Sequence, residues 1–135
     1  MPAPPFDSRL KQALDFSSSD PYQESYEWLK EIARSIQDQL NSNLSTPPPI
    51  TVEIEPGFQA NMGQQLRVII RIEKKQFRDT LFRAYIPNNG LPIHLDLYGE
   101  EPDVCNSRDE LEEKVLAFLS GIKDRMVSYR DYARK

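Results

Sequence analysis

Between residues 49 and 98, apolar and polar side chains alternate in four short runs, and on either side the apolar spacing lengthens to three and four residues. Alternation is the pattern of a half-buried strand, and the longer step is that of an amphipathic helix. Strands are predicted over 49–56, 64–74, 79–87 and 91–98, and helices over 21–43 and 108–132. Strands with one wet face and helices with one apolar stripe bury best against each other. The expected fold is therefore α+β: a four-stranded antiparallel meander with both long helices packed on one face, in the order α-β-β-β-β-α.

The alternation also assigns faces. Ile50, Val52 and Ile54 point toward the helices, as do Leu66, Val68, Ile70 and Ile72, then Phe82, Ala84 and Ile86, and finally Leu91, Ile93, Leu95 and Leu97. Leu81, Arg83 and Tyr85 point outward with Arg67, Ile69, Arg71, His94, Asp96 and Tyr98. Asn88-Asn89-Gly90 marks a tight turn. Asp20, Pro21 and Gln23 form a helix start with a capping-box pattern, and Ser107 with Glu110 forms a second. Tyr22, Tyr26, Leu29, Ala33, Ile36, Leu40 and Leu44 make the stripe of the first helix, with Trp28 and Ile32 widening it. Prolines 47–49 end it. Gly121, inside the last helix, marks a close helix contact or a kink.

Residues 1–20 carry a proline-rich tip, a short stripe (Phe6, Leu10, Leu14) and three serines, a flexible arm with at most one short helix. Residues 21–135 are expected to form a single domain, which at this length needs no disulfide or metal to fold. The lone Cys105 cannot make an internal bridge. No apolar run is long enough to span a membrane, and no secretion signal opens the chain, so a soluble cytoplasmic protein is expected.

Charge enters through its distribution. The net charge is −4, which disfavours a general nucleic-acid binder. Residues 67–83 nevertheless hold six cations against Glu73 and Asp79, while residues 100–113 hold seven carboxylates against Arg108. The acidic residues open the last helix and its basic residues close it, which complements the helix dipole.

Candidate chemistry is sparse. Cys105, His94 and Asp96 would be the minimal nucleophilic set, but a cysteine just before a helix cap reads as a packed thiol. His94, Asp96, Glu100, Glu101 and Asp103 are rich in oxygen ligands, yet their spacing matches no calcium loop and reads as a solvated acidic loop. Glu53 or Glu55 with Glu73-Lys74-Lys75 has the skeleton of a metal-dependent hydrolase or nuclease, placed at a wet strand end rather than in a walled pocket. None of the five glycines sits in a phosphate-cradling loop, and no cofactor is implied.

The outward sheet face carries the remaining functional expectation. Arg67, Arg71, Arg83, Tyr85, His94 and Tyr98 would share it, and arginine and tyrosine are enriched in protein interfaces. The plainer reading is a wet face on which Glu53 or Glu55 pairs across strands with Arg67 or Arg71. The function expected is a non-catalytic protein-interaction module of adaptor, chaperone-like or inhibitor type, self-associating as a homodimer, with no membrane partner. The alternative is nucleic-acid binding along 67–83, with Phe77 and Tyr85 stacking on bases. Third is the metal-dependent hydrolase centred on Glu55, Glu73 and Lys75.

Overall fold

The computed structural model describes residues 5–14, 20–99 and 101–135; residues 1–4, residues 15–19 with the serine run, and Glu100 lie outside them. The element order is α1 (Phe6–Leu14), α2 (Pro21–Leu40), β1 (Ile50–Ala60), β2 (Gly63–Ile72), a 3-10 turn (Glu73–Lys75), β3 (Phe77–Ile86), β4 (Ile93–Asp96), β5 (Asp103–Cys105), α3 (Arg108–Gly121) and α4 (Lys123–Arg134). The protein is thus α+β, and its five strands form one antiparallel sheet in sequence order. No helix among the described residues is long and apolar enough to cross a membrane.

The expected four strands become five because residues 103–105 pair with β4. Ile93 faces Cys105, and His94 faces Val104. A three-residue strand is too short to declare itself by alternation. The single helix expected over 108–132 becomes two, because the chain breaks at Ile122 (φ −114, ψ 28) just after Gly121. A β-carbon on Gly121 would meet nothing within 4 Å. The glycine therefore marks a kink, not a close helix contact.

One core joins the layers. Leu29, Ala33, Ile36 and Leu40 of α2, Leu111 and Val115 of α3, and Tyr129 of α4 are buried with Ile50, Val68, Ile70, Phe82, Ala84, Ile93 and Leu95 of the sheet. Asp20 caps α2 by accepting from the amides of Tyr22 (3.1 Å) and Gln23 (3.3 Å). The Gln23 side chain instead donates forward to Glu27 at 2.8 Å, so the reciprocal half of the expected box is not made. At the other end of α2, Arg130 of α4 donates to the carbonyls of Leu40 and Ser42. This arginine serves the C-terminal carbonyls of a neighbouring helix, where its charge also complements the dipole.

A bulge in β3 revises the face assignment. Val68 pairs with Phe82 but Ile69 pairs with Thr80, which leaves Leu81 as the extra residue. Two successive residues of a bulge share a face, and both Leu81 and Phe82 are fully buried in the helix-side core. Leu81 is therefore inward, not outward. The slip also turns Asp79 toward the helices, in register with Ile70, and Arg78 outward, in register with Arg71.

β1 is an edge strand, and the side chains of Gln37 in α2 and of Asn41, which caps its C-terminal end, occupy part of its free edge. Asn41 donates to the Ile50 carbonyl (2.7 Å) and accepts from the Ile50 amide (3.0 Å), while Gln37 accepts from the Val52 amide (2.9 Å). Farther along the edge, Pro56 has no amide to offer. These are the devices that keep a long edge from pairing with another chain. Replacing Asn41 with Ala leaves both backbone groups of fully buried Ile50 without a protein partner. The expected loss is about 1.5 kcal/mol in a denaturant titration.

Candidate functional site: the outer face of the sheet

The outer face gathers the three arginines that the alternation assigned to it and Arg78 as well, each beside a carboxylate. Glu55 is shared: one oxygen accepts from Arg67 at 2.9 Å and the other pairs with Arg78. Arg71 lies 3.8 Å from Glu53, and Arg83 lies 3.9 Å from Asp96 with no hydrogen bond between them. All these side chains are at least a third exposed, so each pair contributes little to stability. Their effect is on the field: four guanidiniums stand against three carboxylates. The basic strip read along the chain is thus almost neutral in space. Ile69, on this same face and only 1% exposed, is bracketed by the Glu53–Arg71 and Glu55–Arg67 pairs.

At one end of the face lies an open concavity of about 620 Å³ lined by Gly57, Phe58, Gln65, Arg67, Arg83, Tyr85 and Asp96. Its floor is Tyr85, 8% exposed, whose hydroxyl accepts from Gln65 Nε2 at 3.0 Å. Its wall is built by a second irregularity. Pro56 pairs with Leu66 and Gln59 with Gln64, so β1 carries one extra residue at Gly57–Phe58. A β-carbon at Gly57 would lie 2.1 Å from the Gln65 amide oxygen, so any larger residue there would displace the Gln65 side chain from its place beside Tyr85. Phe58 is left 63% exposed.

His94 borders this floor, in register with Tyr85. Its Nδ1 and the Nε of Arg67 are shut off from solvent with no hydrogen-bond partner among the described residues. Such orphaned groups are uncommon and call for an explanation. Arg67, Arg83, Tyr85 and His94 therefore come together, while Arg71 lies farther along the face. Tyr98 does not join them. Its backbone is left-handed (φ 64), and its ring lies 6.3 Å from that of Phe118 on α3. Its hydroxyl donates to the Thr80 carbonyl (2.8 Å).

The alternation missed Gln65, Phe58 and Arg78 as parts of this face. Gln65 alternates with Leu66 and was legible; Phe58 and Arg78 depend on the bulges.

The other chemical readings separate in space. Ile93 and Cys105 point to the core and His94 and Val104 to the opposite face, so Cys105 and His94 lie on different sides of the sheet. Burial and the neighbouring carboxylates of Glu110 and Asp103 push the Cys105 thiol up to about 11, far from a ready thiolate. Glu55 pairs with Arg67, and Glu73 follows six residues later, about 20 Å along the strand, in the 3-10 turn with Lys75. No three potential metal ligands gather among the described residues. Phe77, named above as a base-stacking group, faces the helices, 5.8 Å from the Tyr129 ring and 5.5 Å from that of Tyr132. Comparison with protein-family models, with curated proteins and with solved structures found no match to this chain.

Proposed function

We propose that the protein is a non-catalytic interaction module, with residues 21–135 as its working unit, and that the concavity beside Phe58 receives an acidic segment of a protein partner. The observation that carries this reading is the state of Arg83. Its guanidinium lies in an open concavity, makes no hydrogen bond to Asp96 at 3.9 Å, and stands across the floor from a largely exposed phenylalanine. A guanidinium beside an exposed aromatic on a firm polar floor is the combination that dominates protein interfaces. The unpaired Arg67 Nε and His94 Nδ1 add polar capacity at the same place. Pairing of Arg67, Arg71 and Arg78 with Glu53 and Glu55, which leaves one net positive charge among the five, argues against a phosphate-tracking strip.

The test is capture from source-cell extract on immobilised protein, comparing the wild type with Arg83→Glu and with Phe58→Ala. Phe58 is largely exposed and the Arg83 side chain is a third exposed with no hydrogen bond to Asp96, so both variants should melt within a few degrees of the wild type. The expected result is loss of the same captured species by both variants. An unchanged set of captured proteins contradicts the reading.

A further inference from the structure

We propose that helix α1 of a second copy of this chain docks in the groove between α2 and α3, so that two chains exchange their N-terminal helices. The inference is independent of the outer-face reading, because the groove lies in the helical layer. It holds about 290 Å³ and is walled by Ile32, Ile36, Val115, Leu116 and Leu119. Leu116 is 66% exposed there. Leu116 continues the apolar wall formed by Ile32, Ile36, Val115 and Leu119, and it is a contiguous apolar surface, not a lone leucine, that marks a contact site.

The matching surface is in the same sequence. Phe6 and Leu10, one helical turn apart on α1, are 65% and 41% exposed. A nine-residue helix is too short to persist in water without a packing surface. It is about 13 Å long, and the groove runs about 16 Å along α3 from Arg108 to Leu119.

Charge agrees with this occupant. On the groove rim one guanidinium, Arg108, is shared by Glu31 and Glu112, which leaves an excess negative charge. Arg9 flanks the α1 stripe, its guanidinium over its own Phe6 ring at 6.0 Å, and it pairs with no carboxylate among the described residues. Docking brings the unpaired cation to the rim that lacks one.

Area also favours a reciprocal exchange. One short helix in a groove covers several hundred Å², whereas a two-fold exchange makes the contact twice and clears the roughly 1,000 Å² that a specific interface needs. The tether from Leu14 to Pro21 would also let α1 reach its own groove. In the single chain, however, Phe6 and Leu10 stand exposed.

The experiment uses the full chain carrying Leu10→Cys and Leu116→Cys under mild oxidation, with Cys105 buried and out of reach. The expected product is a disulfide-linked dimer, also formed when the two single-cysteine chains are mixed. Light scattering should give twice the chain mass for the wild type and one chain mass for Leu116→Asp, which should still melt cooperatively because Leu116 is exposed in the single chain, losing only the stability that association contributes. An intramolecular cross-link would assign the groove to the chain's own arm and overturn the exchange. So would the absence of a cross-link, or a dimer that survives Leu116→Asp.

Discussion

Gly90→Ala is expected to lower stability by about 3 kcal/mol, through backbone strain and a forced shift together. Gly90 has φ +85, and a β-carbon there would lie 2.4 Å from the carbonyl oxygen of Pro21 and 2.8 Å from its carbon. The contact is with backbone, which cannot swing aside as a flexible side chain does. The same residue ties two elements together. Its amide donates to the Pro87 carbonyl at 2.9 Å to close the turn, and its carbonyl accepts from the buried Ser25 hydroxyl of α2 at 2.7 Å. A shift at Gly90 therefore loosens the start of α2 and the loop that leads into β4, which carries His94 and Asp96. Urea titration measures the loss. Gly99→Ala is the control: its β-carbon would meet nothing closer than 3.7 Å, and its effect should stay within about 0.5 kcal/mol.

The second large effect is expected at the latch that holds α4 on the sheet. α4 is a polar helix whose one buried residue is Tyr129. The Tyr129 hydroxyl donates to Asp79 and accepts from Arg125 Nε at 2.7 Å, and Arg125 also donates to Asp79 at 2.7 Å. Asp79→Ala removes the charged acceptor of a largely buried phenol. The Arg125 pair, more than a third exposed, adds little, so the expected cost is about 2 kcal/mol, almost all from the phenol. Tyr129→Phe keeps the ring against Phe77 and should cost about 1 kcal/mol. The two changes should be less than additive in a double-mutant cycle, because they remove one shared bond.

The latch also sets a pH window. Burial pushes the Asp79 carboxyl up, but the hydrogen bonds from Tyr129 and Arg125 outweigh it and hold it below its ordinary 3.8. A lowered carboxyl contributes stability above its unfolded value, and that contribution is lost as the pH falls through the folded value. Burial and the Asp79 hydrogen bond together push the Tyr129 phenol from 10.0 up to about 12, against the opposing effect of Arg125. A raised phenol contributes fully below pH 10, and the contribution disappears as the pH rises through 12. Stability attributable to the latch should therefore be flat between about pH 4 and pH 10 and fall on both sides. Asp79→Asn should flatten the acid limb, measured by denaturant midpoints across pH. An acid limb identical to that of the wild type would contradict the assignment.

The parts of the fold legible in the sequence were those carried by repeating side chains. The stripe from Leu29 to Leu40, the caps at Asp20 and Ser107, and the inward set Val68, Ile70, Phe82, Ala84 and Leu95 all stand where period and chemistry placed them. What was missed breaks the period. Phe77 and Ile86 are both apolar strand residues, yet they are an odd number of positions apart, and one face cannot hold both without an extra residue between them. That mismatch was the signal of the Leu81 bulge, and with it of the Asp79 latch. Pro56-Gly57 reads as a strand end by composition, but the strand runs on to Ala60 through a bulge at Gly57–Phe58. The candidate site was legible in the same proportion. Arg67, Arg83, Tyr85 and His94 follow from alternation, and so does the cross-strand pairing of Arg67 with Glu55 and of Arg71 with Glu53. Phe58 does not follow, since its place depends on the bulge. Tyr98 falls off the face because β4 ends at Asp96, before the alternation does.

The most direct test of the outer-face reading places a photoreactive phenylalanine analogue at position 58 in one chain and at the exposed Val127 of α4 in another. Both chains are irradiated in source-cell extract. A covalent adduct to a partner at position 58, absent at 127 and abolished when Arg83→Glu is added, is the result expected. The same adduct at both positions, or one at 58 that survives Arg83→Glu, would show that the concavity does not select the partner.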